Sequence, residues 1–179
     1  MARHVAFLRA INVGGHTVKM DALARHFAKM GFTGIKTFIA SGNVIFDARV
    51  SDVGKLERTI EAALKEALGY EVATFVRTLG QLAAVAAREP FPRPRLDEAT
   101  AHIVGFLQAP LEAAAVKRLM TLRTDFDDFH VDRREIYWLC RTKQSESTFS
   151  NAVFEKAVGA KTTFRSMTTI RKMAEKYAP

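Results

Sequence analysis

The sequence has little cysteine and no long apolar runs, and each shortage excludes a class of protein. The single cysteine, Cys140, rules out a disulfide within the chain, so a reducing cytoplasmic compartment fits best. No apolar run approaches the roughly 20 residues that a membrane-spanning helix needs. The opening stretch MARHVAFLRA has no long apolar region and no cleavage signature, so no export signal is expected. These absences predict a cytoplasmic protein without a membrane partner.

What is present is typical of a globular chain with an excess of positive charge. Of 179 residues, 48% are hydrophobic and 26% charged, which is enough apolar material for a core. Lysine and arginine number 27 against 19 acidic residues, a net charge of +8. The excess lies at the two ends, in residues 1–36 and 141–179. A basic surface attracts anionic partners, although the same charge also serves solubility alone.

Hydrophobic periodicity predicts the same order of elements twice along the chain. Each half reads strand, helix, strand, strand, helix, strand, helix, and the first six form the βαββαβ order of a ferredoxin-like unit. Residues 89–98, EPFPRPRLDE, hold three of the five prolines and are expected to form a stiff connector without a helix. We therefore predict an α+β fold of two ferredoxin-like units in tandem with additional helices, divided as 1–88, 89–98 and 99–179.

Short-range signals predict where several helices and hairpins begin and end. Expected turns of hairpins lie at Ser41-Gly42 and at Asp132-Arg133. A helix is expected to open at Pro110. The predicted helix caps are Ser51, Thr78 with Gln81 in a capping box, Ser150 and Ser166, with Gly31, Gly69 and Gly159 ending helices.

The stretch FLRAINVGGHTVKM, residues 7–20, combines features that suit an anion. A strand end, two flexible glycines and a helix start would offer free backbone N–H groups to a phosphate. Neither the dinucleotide fingerprint nor the P-loop pattern is present, and a turn that needs glycine explains the same residues. The candidate ligand-binding residues here are Arg9, Asn12, Gly14, Gly15 and Lys19.

Two further stretches carry candidate ligand-binding residues. In IASGNVIF, Ser41 and Asn43 flank Gly42, which is also the chemistry of an ordinary hairpin turn. In TTFRSMTTIRK, Thr163 and Arg165 precede a helix start, where hydroxyls and an arginine suit a phosphate or carboxylate. A plain helix cap with solvated basic residues explains the second stretch equally well.

Three segments together carry a resemblance to a known family. The opening VAFLRAINVGGHTVKM, the segment GFTGIKTFIASGNVIFD and the block SNAVFEKAVGAKTTFRSMTTIRKMAE resemble the bacterial domain-of-unknown-function family 1697, over nearly the whole chain. The resemblance implies an α+β fold and a cytoplasmic bacterial protein, and it implies no established activity. It also makes the INVGG and SGN loops look less like incidental turns.

The C-terminal block departs from the family's usual pattern. It resembles T-x-R-N-W-N-T at Thr163, Arg165 and Thr169, but residues 166–168 are Ser-Met-Thr where Asn-Trp-Asn is usual. Residues 147–149 are likewise Ser-Thr-Phe in place of Ser-Lys-Leu. A binding site that depends on the Asn, Trp and Lys side chains is therefore in doubt in this chain.

The sequence gives little support for an enzyme. The five histidines lack metal-ligand spacing, so neither a metal nor a cofactor is expected. Cys140 follows apolar residues in a predicted strand and is expected to be a buried small hydrophobe. Paired acids would suit acid–base work, but Asp125, Asp127 and Asp128 are expected to lie in a solvated turn.

Aromatic residues on the predicted strands raise the question of RNA binding. Ferredoxin-like sheets bind RNA by stacking bases on exposed aromatics, and Phe7, Phe46, Tyr137 and Trp138 lie on predicted strands. The RNP1 pattern is absent, and Phe7 and Phe46 are expected to be buried in the core.

These observations favour a non-enzymatic binder of an anionic ligand, with nucleic acid as the leading candidate. Phosphate would be contacted by Arg9, Asn12, Lys19 and Arg165. The glycine pair, Gly14 and Gly15, would allow the backbone to approach the ligand closely. Ser41 and Asn43 would add hydrogen bonds. The alternative is an enzyme acting on a small phosphorylated or carboxylated metabolite in a pocket of the same loops. A protein–protein scaffold is a third interpretation, and the oligomeric state stays open.

Overall fold

The computed structural model describes residues 1–177, which form eight strands and seven α-helices. The first half contains β1 (Ala2–Leu8), α1 (Met20–Lys29), β2 (Thr33–Thr37), β3 (Asn43–Ala48), α2 (Val53–Leu68) and β4 (Thr74–Thr78). Two helices follow, α3 (Leu79–Ala87) and α4 (Arg93–Glu98). The second half contains β5 (Ala101–Phe106), α5 (Ala113–Met120), β6 (Asp127–Asp132), β7 (Glu135–Cys140), α6 (Asn151–Val158) and β8 (Thr163–Ser166), followed by α7 (Met167–Tyr177).

Each half folds into a four-stranded antiparallel sheet with the same strand order. The first sheet runs β2-β3-β1-β4 and the second runs β6-β7-β5-β8. In both, the first strand of a βαββαβ unit lies inside the sheet and the last strand lies at its edge. The predicted fold class is therefore confirmed as α+β, with two ferredoxin-like units in tandem and additional helices.

The repeat extends to the register of the edge strand in each sheet. Pairing of β1 with β4 places Val5 opposite Arg77, and pairing of β5 with β8 places Val104 opposite Arg165. The residue after each arginine is a hydroxyl that caps the helix that follows, with hydrogen bonds of 3.1 Å in both cases. The short strand expected at TTFR is thus present as β8, in the same place as β4.

Chain contacts divide the molecule into two compact units. The first comprises residues 1–84 together with the end of α7 from Met173 onward, and the second comprises residues 85–172. The predicted division into a unit at 1–88, a connector at 89–98 and a unit at 99–179 stays a prediction.

The proline-rich connector is not free of helix, contrary to the sequence prediction. Helix α4 forms at Arg93–Glu98 with Pro92 at its N-cap and Pro94 in its first turn. Proline is tolerated there because the first turn has no intrahelical acceptor for its N–H groups. An exposed ion pair of 3.1 Å between Arg93 and Asp97, one turn apart, adds a small stabilisation.

Most of the predicted helix ends are confirmed, and the exceptions have local causes. The expectation that Ser51 caps α2 is wrong, because Asp52 accepts the hydrogen bond from the N–H of Lys55 at 3.0 Å. Helix α5 begins at Ala113 and not at Pro110, and β2 ends at Thr37, so the hairpin loop is wider than Ser41-Gly42. The confirmed caps are Thr78 with Gln81, Ser150, Ser166, Gly69 and Gly159.

Both faces of the first sheet are buried. Phe46 lies in the core that includes α1 and α2, with its ring centroid 5.4 Å from that of Phe27. Phe7 lies on the opposite face of its strand from the flanking Ala6 and Leu8 of that core, and it too is fully buried. The predicted burial of Phe7 and Phe46 is confirmed, so neither ring is available for base stacking.

The core of the second unit is rich in aromatic rings that meet edge to face. The ring centroids of Trp138 and Phe149 are 4.8 Å apart, and Phe154 and Phe164 join them. Trp138 and Tyr137 are 1% and 2% exposed, so these rings offer no stacking platform on the sheet surface either.

The buried His4 makes stability depend on pH in a defined direction. Burial lowers the pKa of His4 below its ordinary value of about 6.5, with smaller opposing effects from the Ala2 backbone and the Asp47 charge. The unfolded chain therefore takes up a proton at a pH where the folded protein does not. Stability contributed by neutral His4 is complete above about pH 6.5 and is lost as the pH falls below that value.

We expect His4→Leu to weaken this pH dependence. The free energy of unfolding of the parent, from urea titrations, should fall between about pH 7.5 and about pH 5.5 because the unfolded state binds more protons. The fall should be smaller in His4→Leu, whose side chain does not titrate. An equal fall in the two proteins would contradict the assignment.

Candidate functional site

The loop between β1 and α1 begins in a constrained conformation. The N–H of Arg9 donates to the carbonyl of Ala73 at 2.9 Å, which continues the pairing of β1 with the β4 side of the sheet. Ala10 then adopts a φ of 55°, a left-handed conformation that is uncommon for a residue with a side chain. Ile11 is 2% exposed and belongs to the core, so the loop is anchored at its start.

The glycine pair occupies the outermost part of this loop. Gly14 and Gly15 have φ angles of 64° and 86°, and both residues are exposed. A Cβ built on either would meet no heavy atom within 4 Å, so the backbone lies open above them. Successive residues with φ above zero are the reason that this position carries glycine.

Gly42 in the loop between β2 and β3 is packed closely against the β1–α1 loop. Its φ is 77°, and a Cβ there would lie 2.8 Å from Cγ2 of Ile11 and 3.3 Å from the carbonyl oxygen of Leu8. The carbonyl of Gly42 accepts the N–H of Leu8 at 2.8 Å. Glycine is required here both for conformation and for space.

The carboxamide of Asn12 joins the two loops. Its Oδ1 accepts the N–H of Val18 at 2.6 Å, and its Nδ2 donates to the carbonyl of Ala40 at 3.1 Å. The first bond closes the β1–α1 loop over the glycine pair, and the second ties that loop to the β2–β3 loop. Asn12 therefore shapes the site through its own side chain.

Asn43 and Ser41 shape the β2–β3 loop in the same way. Asn43 is fully buried, and its Nδ2 donates to the carbonyl of Phe38 at 3.0 Å and to Oγ of Ser41 at 2.8 Å. The N–H of Phe38 donates to the carbonyl of Asn43 at 3.0 Å. The amide of Asn43 thus closes the loop from inside the protein.

Tyr70 is a part of this cluster that sequence reasoning missed. Its hydroxyl donates to the carbonyl of Ile11 at 3.0 Å, and its ring stacks on that of His16 with centroids 3.8 Å apart and planes at 18°. Burial raises the pKa of Tyr70, so the hydroxyl keeps its proton. The available signal was its position next to Gly69, which ends α2 in a left-handed conformation.

The two candidate basic residues of the first unit lie at the two ends of the β1–α1 loop. Arg9 is partly buried at the start of the loop, and Lys19 is exposed at the N-cap of α1. Lys19 provides no side-chain hydrogen bond to the first turn of the helix. The first-turn N–H groups of α1 therefore lie beside an exposed cation.

Thr163 and Arg165 belong to the second unit and form a pair of their own. Nη1 of Arg165 donates to Oγ1 of Thr163 at 2.7 Å and to the carbonyl of Phe164 at 2.9 Å. Burial lowers the pKa of Arg165 to about 10, and Thr163 is 4% exposed. The structure thus brings together Arg9, Asn12, Gly14, Gly15, Lys19, Ser41 and Asn43 in one unit and places Thr163 and Arg165 in the other.

Comparison with known families gives a clear result for most of the chain. The profile of the family described as "Protein of unknown function (DUF1697)" matches residues 1–137. The chain belongs to this family. The match spans both loops of the first unit and ends before Thr163 and Arg165, so the divergent C-terminal block lies beyond it.

A solved structure shows the same fold as this DUF1697 chain. The conserved bacterial protein SP0830 from Streptococcus pneumoniae aligns over 98% of each chain with a TM-score of 0.73 and 19% sequence identity. This likeness concerns the fold alone. No curated protein matches the chain. None of the helices within residues 1–177 is both long and apolar enough to span a membrane.

Two of the aspartates expected in a solvated turn lie buried in the DUF1697 chain. Asp127 and Asp128 are on β6 and are 3% and 7% exposed, so the expectation was wrong for both. Asp127 accepts hydrogen bonds from Nε1 of Trp138 at 2.7 Å and from Oγ of Ser147 at 2.9 Å. Those partners, which lie on β7 and beyond, offset the cost of burying the carboxylate.

The other chemically notable residues also have structural roles. Asp128 forms ion pairs with Arg95 and with Arg123, the second at 2.6 Å. Cys140 is fully buried, as expected, and its thiol donates to the carbonyl of Thr142 at 3.1 Å.

We expect Gly42→Ala to destabilise the protein more than Gly15→Ala. Both changes place a side chain at positive φ, which costs about 1 kcal/mol. Only the Cβ at position 42 also collides with Ile11 and with the Leu8 backbone, which adds about 1–3 kcal/mol. Urea titrations of the two variants measure the difference, and equal free energies of unfolding would show that the two loops do not pack as described.

Proposed function

We propose that this protein is a non-enzymatic binder of an anionic ligand, with nucleic acid as the leading candidate. The binding surface is the β1–α1 loop, supported by the β2–β3 loop. The observation that carries the proposal is the open glycine pair, held in place by Asn12 between a partly buried arginine and an exposed lysine.

The backbone of this loop supplies donors that suit phosphate. Within residues 1–177, the N–H groups of Gly14, Gly15 and Thr17 have no acceptor in the protein. Successive backbone N–H groups in a turn can form a concave surface that favours anions. The start of α1 adds the partial positive charge of a ten-residue helix close to Lys19.

The buried aromatics decide which part of a nucleic acid would be contacted. Phe7, Phe46, Tyr137 and Trp138 are at most 2% exposed, so these four rings cannot stack bases. Contacts through Arg9, Lys19 and the backbone donors would instead go to phosphates. Such contacts are sensitive to salt and depend little on base identity.

Arg165 and Thr163 have a supporting part in this proposal. Their mutual hydrogen bond fixes the guanidinium beside a hydroxyl, an arrangement that suits a phosphate or carboxylate. The single cysteine and the membrane finding are consistent with action in the cytoplasm, which belongs to the same proposal.

A matched pair of charge reversals tests the binding surface. Lys19 and Lys55 are both exposed lysines at the start of a helix in the first unit. The pairing of Ala48 with Ala2 places the start of α2 at the opposite end of the sheet from the β1–α1 loop. Lys55→Glu is therefore a control for the change in net charge.

We expect Lys19→Glu to weaken binding of labelled single-stranded RNA or duplex DNA by about tenfold near 0.1 M salt, while Lys55→Glu changes it by less than about twofold. Fluorescence anisotropy at several salt concentrations measures both. If both variants weaken binding equally, the effect comes from the change in net charge alone. That result would contradict binding at the β1–α1 loop. If no nucleic acid binds and a small phosphorylated metabolite stabilises the protein against heat, the alternative function is favoured. That alternative is an enzyme that acts on such a metabolite.

A further inference from the structure

The β1–α1 loop carries an accessible aromatic ring, that of His16, which the proposed function does not use. His16 is exposed, and its ring stacks on that of Tyr70 with centroids 3.8 Å apart and planes at 18°. A flat ring has two faces, and Tyr70 covers one of them. Because His16 is exposed, the face of its ring that is turned away from Tyr70 is accessible to a ligand.

Tyr70 holds this ring in place from beneath. The tyrosine is half-buried, and its hydroxyl donates to the carbonyl of Ile11 at 3.0 Å. Ile11 is 2% exposed and belongs to the core, so the tyrosine is attached to a rigid part of the unit. A flat ligand laid on His16 would extend a stack that already exists, and little further ordering of the protein would oppose binding.

The ring of His16 lies on the same turn as the backbone donors of the glycine pair. The N–H of His16 donates to the carbonyl of Val13 at 3.2 Å, and Gly14 and Gly15 are the two central residues of this turn. In a nucleotide, a single sugar joins the base to its phosphate. A phosphate held at the glycine pair would therefore bring its base close to His16.

Two exposed aliphatic side chains lie beside this turn. Val13 is 57% exposed and Ile39 is 53% exposed. They adjoin Asn12 and Ala40, which the carboxamide hydrogen bond joins at 3.1 Å. Ile39 has a φ of 50°, which is uncommon for a β-branched residue and is a form of strain that concentrates at functional sites. Exposed apolar groups beside backbone donors favour a ligand with an apolar part over an inorganic anion.

We propose that His16 stacks an unpaired base of the strand whose phosphate the β1–α1 loop holds, so that the substrate class is single-stranded RNA or DNA. This inference rests on the proposed function, since only a strand bound at the loop reaches the ring. The bases of a duplex are covered by their neighbours and do not reach it. Every base has a flat face, so the preference concerns single strands and not a particular sequence.

An abasic strand separates contacts to bases from contacts to phosphates. A short thymidine strand and an abasic strand of the same length carry the same phosphates, but only the first carries bases. Both compete, unlabelled, against one dye-labelled single strand in fluorescence anisotropy near about 0.1 M salt. We expect the parent protein to bind the thymidine strand about fivefold or more tightly than the abasic strand. Equal affinities would overturn the stacking proposal and leave the anion-binding function standing.

Two substitutions at position 16 test whether this ring is responsible for the difference. His16→Ala removes the ring and should bring the ratio of the two affinities to about one, whereas His16→Phe keeps a flat ring and should retain most of the ratio. The matched control is His26→Ala, which removes a half-buried histidine from the last turn of α1 and should leave the ratio unchanged. A ratio that survives in His16→Ala, or that His26→Ala lowers equally, would overturn the proposal.

Lys19→Glu and duplex DNA distinguish this proposal from the proposed function. Lys19→Glu should weaken the thymidine and abasic strands by the same factor, because both present phosphates to the loop. His16→Ala should change the affinity for duplex DNA by less than about twofold, and equal weakening of duplex and single strand would overturn the stacking proposal. If none of these nucleic acids binds the parent protein, the proposed function fails and the stacking proposal fails with it. Urea titrations confirm that all the variants are folded.

Discussion

The carboxamide of Asn12 is the interaction on which the loops of the first unit depend. It accepts the N–H of Val18 at 2.6 Å and donates to the carbonyl of Ala40, 28 residues further along the chain. Without these bonds the β1–α1 loop would be a flexible connection with two glycines at its centre. With them, the loop has one shape, and the cost of ordering it is met during folding and not on binding.

The packing around this carboxamide supports the same shape. Gly42 lies against Ile11, whose carbonyl accepts the hydroxyl of Tyr70. Two segments distant in sequence thus converge on the β1–α1 loop. An anion that meets the open backbone at Gly14 and Gly15 would find donors already in position.

The two ferredoxin-like units share a framework and differ in what they present. Their strand orders and edge registers agree, down to the arginine before the capping hydroxyl in β4 and in β8. The first unit presents a long loop with glycines and cations after its first strand. The corresponding loop of the second unit, residues 107–112, contains no glycine. The candidate site therefore depends on the β1–α1 loop and not on the shared framework.

Sequence alone predicted the features that depend on neighbours along the chain. The order of elements, the capping box at Thr78 and Gln81, and the glycines that end α2 and α6 are all short-range and all correct. The prolines around α4 predict no helix, yet the first turn of a helix tolerates proline, and α4 forms there.

The features that sequence missed depend on partners that folding brings together. The burial of Asp127 requires Trp138 and Ser147, which come from later in the chain. The place of Tyr70 beside Ile11 depends on how α2 returns to the sheet, which no local pattern records. The residue types alone identified the candidate site residues. They did not show which residues would face a ligand and which ones, such as Asn12 and Asn43, hold the loops in shape.

Amide hydrogen exchange of Val18, followed by NMR, tests the central claim most directly. Val18 lies outside the helices and strands, yet its N–H is bonded to Asn12, so its exchange should be slow compared with that of the neighbouring Thr17. In Asn12→Ala the protection of Val18 should be lost while amides within β1 stay protected. Fast exchange of Val18 in the parent protein, or equal protection in the two proteins, would contradict the view that Asn12 holds the loops together.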